Sequence, residues 1–191
     1  MRNYEEMEYQ SLESSSEFVI RQKIRMVANE YTIETMNGQV LGYARQKVMA
    51  LKERVTFYTD QTMQMPVFSF QARNVMDFKA VCDVFDGAGV QIGYFQKDVG
   101  ASFLRSTWNV HCAGGRYTGQ ERSAVAAVLR RFTDLPMFYN FDFNREDGVQ
   151  GFKIDRQMTF RDAYHVTKQD STLDGRVVAA LAVAMDVLQN R

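Results

Sequence analysis

From Val177 to Met185 every residue is apolar, and the run is flanked by Arg176 and Asp186. A membrane-spanning helix needs about 20 such residues, so this segment is too short to cross a bilayer. A helix that is apolar on every face must be buried on every face. Its side chains are mostly Val and Ala, which suits a narrow enclosure. The predicted arrangement is a sheet curled around the helix, which also removes exposed strand edges. The flanking charges have the wrong sign for the helix macrodipole, at a cost of up to about 1 kcal/mol each. Arg176 and Asp186 are therefore expected to find partners on the surrounding strands.

The rest of the chain supplies the strands for such a sheet. From Phe18 onward, short runs rich in Val, Ile, Phe, Tyr and Thr alternate with turn signals, the spacing of an antiparallel meander. Asn37-Gly38, between Tyr31-Thr32-Ile33 and Val40 to Tyr43, predicts a hairpin with a type I′ turn. A second hairpin is predicted from Phe78–Val84 and Val90–Phe95, turning at Asp86 to Gly89. Further strands are expected near 55–58, 67–70, 103–112, 137–139, 151–154 and 164–166. Thr118-Gly119-Gln120-Glu121 fits a capping box. Val125, Val128, Leu129 and Phe132 follow at helical spacing, so one amphipathic helix is expected near 120–132. Residues 1–16 read as an acidic, weakly structured tail and 17–191 as one domain, since 191 residues is a usual single-domain length. The fold class is mainly β (α+β).

The sequence contains no catalytic constellation. His111 and Cys112 are adjacent on a predicted strand, so their side chains point to opposite faces and cannot pair as base and nucleophile. Zinc ligation by Cys82, His111, Cys112 and His165 lacks the usual close spacing. Asp142 to Gly148 resembles the start of a calcium loop, but Lys153 stands where the bidentate Glu is needed, so a turn is expected. Gly87-x-Gly89 reads as a turn. Gly114-Gly115 reads as a connection ahead of the expected helix, not as a phosphate loop. The chain is expected to be no enzyme and to carry no cofactor or metal. The acidic first residues predict no signal peptide. Two cysteines make no disulfide framework. The expected setting is the cytoplasm, with peripheral association at a membrane.

Lys plus Arg balance Asp plus Glu at 23 each, so no overall nucleic-acid footprint exists. The charges are nonetheless unevenly placed. Arg21, Lys23 and Arg25 alternate along the chain, as do Arg45 and Lys47, and Lys52 and Arg54. On strands, alternation puts each set on one face. Paired strands would merge them into a basic stripe suited to anionic phospholipid or phosphoinositide headgroups. An ordinary solvated face gives the same pattern. A protein partner held by exposed aromatic residues is the alternative function. The acidic tail, with Glu5, Glu6, Glu8 and Glu13, is expected to fold over the stripe.

Three stretches resemble a known family. They are Tyr31-Thr-Ile-Glu…Asn37-Gly38…Val40 to Lys47; Val84-Phe-Asp-Gly-Ala-Gly…Ile92-Gly93…Lys97; and Leu173-Asp174…Ala182-Val-Ala-Met-Asp186. Together they are similar to the LURP-one-related branch of the tubby C-terminal-like superfamily, whose relatives include phospholipid scramblases. The resemblance implies a closed antiparallel β-barrel of about twelve strands around a central C-terminal helix. It also implies a non-enzymatic binding or scaffold protein, since tubby domains bind phosphoinositides and scramblases act at membranes. The scramblase calcium segment precedes the last helix. Asp162, Asp170 and Asp174 stand there in this chain, without reproducing its spacing.

Overall fold

The computed structural model describes residues 11–24, 28–47, 54–73, 81–98, 106–122, 140–157 and 163–189. Among the described residues there are twelve strands: β1 (Glu17–Ile24), β2 (Ala28–Glu34), β3 (Val40–Lys47), β4 (Val55–Tyr58), β5 (Pro66–Ala72) and β6 (Val81–Asp86), then β7 (Gln91–Asp98), β8 (Thr107–Cys112), β9 (Gly115–Glu121), β10 (Asn140–Arg145), β11 (Gln150–Gln157) and β12 (Ala163–Lys168). Each strand pairs antiparallel with its sequence neighbours, and β12 pairs with β1 to close the barrel. One helix follows, α1 (Gly175–Gln189). The mainly β fold class and the closed barrel around a terminal helix are as the sequence implied.

The helix occupies the centre. Val177 to Met185 are all at most 1% exposed, so the apolar run is enclosed on every side. Its small side chains leave space that large aromatic residues on the strands fill. Phe57 stacks on Phe68 at 4.6 Å, Phe143 stacks on Phe152 at 4.2 Å, and Phe95 lies between Phe70 and Trp108. Two glycines make this filling possible. A Cβ on Gly119 would fall 2.3 Å from the Phe143 ring, and one on Gly151 would fall 2.4 Å from the Tyr117 ring.

Thr118 to Glu121 belong to strand β9, not to a helical cap. The segment is paired on both sides, with β8 and β10, and Gly119 seats Phe143. Pairing on two edges outweighs the local capping preference. The remainder of the expected helix, residues 123–132, lies outside the described residues, as do the strand expected at 137–139 and residues 1–10. Residues 11–16 lie just ahead of β1. Leu12 is buried, and Ser15 donates from its hydroxyl to Ser11 O at 2.8 Å.

The β2–β3 turn also differs in type from the expectation. Gly38 N–H donates to Thr35 O at 2.9 Å, and Gly38 alone in the turn has positive φ, at 84°. This is a type I turn followed by a left-handed residue that forms a bulge. The turns after β6 and β10 repeat it, with Gly89 and Gly148 at the left-handed position. In the β4–β5 turn Met63 takes that conformation, at φ 56°, donating to Asp60 O at 3.2 Å. A left-handed residue other than Gly costs about 1–2 kcal/mol. Met63→Gly is therefore expected to stabilise the barrel by up to about 1 kcal/mol after the entropy cost of Gly. A lower urea midpoint for the variant would contradict this.

Candidate functional site

The meander sorts its connections to two ends. Strands β2, β4, β6, β8, β10 and β12 finish at the end where α1 begins, and the odd-numbered strands finish at the end where α1 finishes. Among the described residues, charge is biased the same way. Glu13, Glu17, Glu34, Asp60, Asp86, Glu146 and Asp147 lie toward the first end. Lys23, Arg45, Arg54, Arg73, Lys97, Arg122 and Arg156 lie toward the second, with Glu30, Asp98, Glu121 and Asp155 as acidic exceptions there and Arg116, Arg145, Lys168 and Arg176 as basic exceptions at the first end. This polarity complements the helix, whose positive N-terminus faces the acidic end and whose negative C-terminus faces the basic end.

The basic stripe of the sequence is partly assembled. Lys23 lies directly across from Glu30, and Glu30 directly across from Arg45, so β1 and β3 bring two cations into one row with a carboxylate between them. Arg21 Nε donates to Glu34 at 3.0 Å. Ile24, beside Lys23, is 69% exposed. Arg54 lies 4.7 Å above the Phe85 ring. Arg25 and Lys52 lie outside the described residues, as does the side chain of Lys47. Glu13 is not folded over this face. It lies at the opposite end, with its carboxylate 3.4 Å from Arg176.

A polar network closes the acidic end around the helix start. Asp170, whose side chain is 6% exposed, accepts from the Tyr117 hydroxyl at 2.8 Å, from Arg145 at 2.8 Å, and from Thr172 N–H and Oγ1 at 3.0 and 2.6 Å. Burial opposes its ionisation, but these hydrogen bonds and the Arg145 charge outweigh it, and its pKa is lowered. Burial and Asp170 push the Tyr117 hydroxyl up to about 12. Lys168 Nζ donates to Leu173 O at 2.6 Å and to Glu13 O at 3.0 Å. Asp174 caps α1, accepting from Arg176 N–H at 2.8 Å and from its guanidinium. Arg176 thus finds its partners on Asp174 and Glu13, not on the surrounding strands. The side chain of Asp186 lies outside the described residues. Asp170 and Asp174 already spend their oxygens on protein donors, and Asp162 lies outside the described residues.

A groove of about 350 Å³ opens on the outer face of β2 and β3 toward the acidic end. Thr32, Val40 and Tyr43 line it from the strands, and Asp60, Gln61 and Thr62 from the β4–β5 turn. Asp60 holds that turn, accepting from Thr62 N–H at 2.8 Å and Thr62 Oγ1 at 2.6 Å. These hydrogen bonds also lower its pKa. Asp60-Gln-Thr62 and Asp170-Ser-Thr172 carry the same turn signature in the sequence. The groove also needs β3 beside β4, a long-range fact that no local signal reports.

The family model for LURP-one-related proteins matches residues 40–188. The chain belongs to the LURP-one-related family. An X-ray structure of a protein from Arabidopsis thaliana is similar to it, at 12% identity over 94% of this chain and 93% of that one, with a TM-score of 0.43. No curated protein matches the sequence.

In this LURP-one-related barrel, the thiols and imidazoles are dispersed. His111 stacks on Tyr94 at 4.4 Å on the outer face, and burial followed by the Arg116 charge lowers its pKa. His165 contacts Glu17 at 2.8 Å. Cys82 is buried in the core, and burial pushes its thiol up to about 12. Cys112 is likewise raised by burial. Neither thiol is an activated nucleophile. Asp142 to Gly148 forms the end of β10 and its turn, with Asp142 bound to Arg122 and Asp147 to Arg145. Gly114-Gly115 leads into strand β9, so no helix N-terminus follows it. Among the described residues, no helix is long and apolar enough to cross a membrane.

Proposed function

We propose that this LURP-one-related chain is a non-enzymatic binding protein that engages anionic phospholipid headgroups through the basic end of its barrel. The observation that carries this reading is the charge polarity along the barrel axis, with Lys23 and Arg45 in one row beside the exposed Ile24. Cations near an anionic leaflet are attracted to it, and the exposed aliphatic side chain of Ile24 at the end of β1 adds apolar contact. Peripheral association from the cytoplasm fits the same reading.

Sedimentation with vesicles containing phosphatidylserine or a phosphoinositide, at two salt concentrations, tests it. Each cation near such a surface contributes about 1 kcal/mol. Lys23→Gln with Arg45→Gln should therefore weaken partitioning by about 30-fold. Glu30→Gln should strengthen it, and added salt should abolish it. Salt-insensitive sedimentation, or none with either lipid, would overturn the reading.

A further inference from the structure

Among the described residues, three hairpin turns at the acidic end place Gly at the left-handed position, and the β4–β5 turn places Met63 there. Gly adopts that conformation without strain, so the Met side chain contributes nothing that the turn itself requires. The Met63 side chain also does little for the core, since the residue is 38% exposed. Met65 on the same turn and Val40 across the groove are more exposed still, as is Met36 on the neighbouring β2–β3 turn. A strained residue that presents apolar surface beside a groove is the pattern of a contact made with something outside the chain.

The groove states the chemistry of that contact. Its walls are the apolar Val40 and the Tyr43 ring, with the hydroxyl residues Thr32 and Thr62. Its charged wall residue is the carboxylate of Asp60, while Glu34 on the adjoining strand end is paired with Arg21. An apolar slot with a carboxylate at its rim accepts a side chain with an aliphatic stem and a cationic head. The exposed Met63 and Met65, on the same turn as Asp60 to Thr62, adapt to apolar neighbours of that side chain. We propose that the groove between the β2–β3 face and the β4–β5 turn docks a protein partner through one lysine or arginine flanked by apolar residues. This surface is at the opposite end of the barrel from the lipid contact. A barrel seated on a membrane by its basic end would present the groove outward, and each proposal can fail without the other.

Amide NMR of the full chain, titrated with n-butylammonium and with butyrate, reads the groove directly. The cation should shift Thr32, Tyr43 and residues 60–62 saturably, and the anion should not. Asp60→Asn keeps an oxygen for the Thr62 hydrogen bonds and removes the charge, and it should weaken the cation by about fivefold. Fluorescence anisotropy with a labelled peptide of alternating Leu and Lys tests the apolar part. Met63→Gly should raise the midpoint of unfolding yet weaken that peptide several-fold, a combination that a purely structural role for Met63 does not produce. Equal shifts from butyrate, or unchanged affinities in the two variants, would overturn the proposal. So would phosphatidylserine vesicles shifting the same amides, which would make the groove a membrane contact.

Discussion

Phe143→Ala is expected to cost about 3–5 kcal/mol. The ring is fully buried, stacked on Phe152 at 4.2 Å and tilted against Phe141 at 6.1 Å. The stack fills the gap between the sheet and a helix of Val and Ala, and a cavity there has only small helix side chains to collapse onto. Gly119 lies beneath the ring, and an added Cβ would stand 2.3 Å from it. Gly119→Ala alone should therefore cost about 1–3 kcal/mol by overpacking. With Phe143 removed, the new methyl gains space, and most of that cost should vanish. Urea unfolding of the two single variants and the double variant gives the coupling, expected to exceed about 1 kcal/mol. Additive effects would show that Gly119 is not there to seat the ring.

Asp170→Ala should cost about 3 kcal/mol, because it removes a buried carboxylate that four donors share. Part of the network can recover. Tyr117 has Gly114 O at 3.0 Å as a second acceptor, and Arg145 keeps Asp147. The Thr172 contacts cannot recover, and the turn into α1 is the element that should loosen. Acid gives an independent reading of the same residue. The folded pKa of Asp170 is depressed below the ordinary aspartate value of 3.8, so its stabilisation is fully present above the unfolded value. It is lost as pH falls through the folded value. The wild-type chain should therefore lose stability below about pH 4 more steeply than Asp170→Asn. Parallel stability curves for the two proteins between about pH 5 and pH 2 would contradict that assignment.

Local signals carried much of this fold. The apolar run from Val177 to Met185 demanded full enclosure, and alternating β-rich segments of about the right spacing were there to enclose it. The resemblance then implied the strand number and the closed topology. Local signals failed at Thr118 to Glu121, where a plausible cap lies inside β9. The competing term was pairing with β8 and β10 and the packing of Phe143 on Gly119, none of which is local. Asn37-Gly38 marked a turn correctly, but its type depended on the bulge that sets the β2–β3 register.

The candidate sites were less legible for the same reason. Alternation put Arg21 and Lys23 on one face and Arg45 on another strand's face, but only pairing through β2 inserted Glu30 between Lys23 and Arg45. The groove at Tyr43 and Asp60, the Asp170 network and the bias of charge between the two barrel ends all join residues far apart in the chain. By itself, the sequence determined that a short apolar helix had to be buried and that the chain around it was made of strands, because burial and alternation are read from neighbouring residues. Only the tertiary structure decided which charges meet, which glycines seat which rings and where a groove opens, because those follow from the register of a closed sheet.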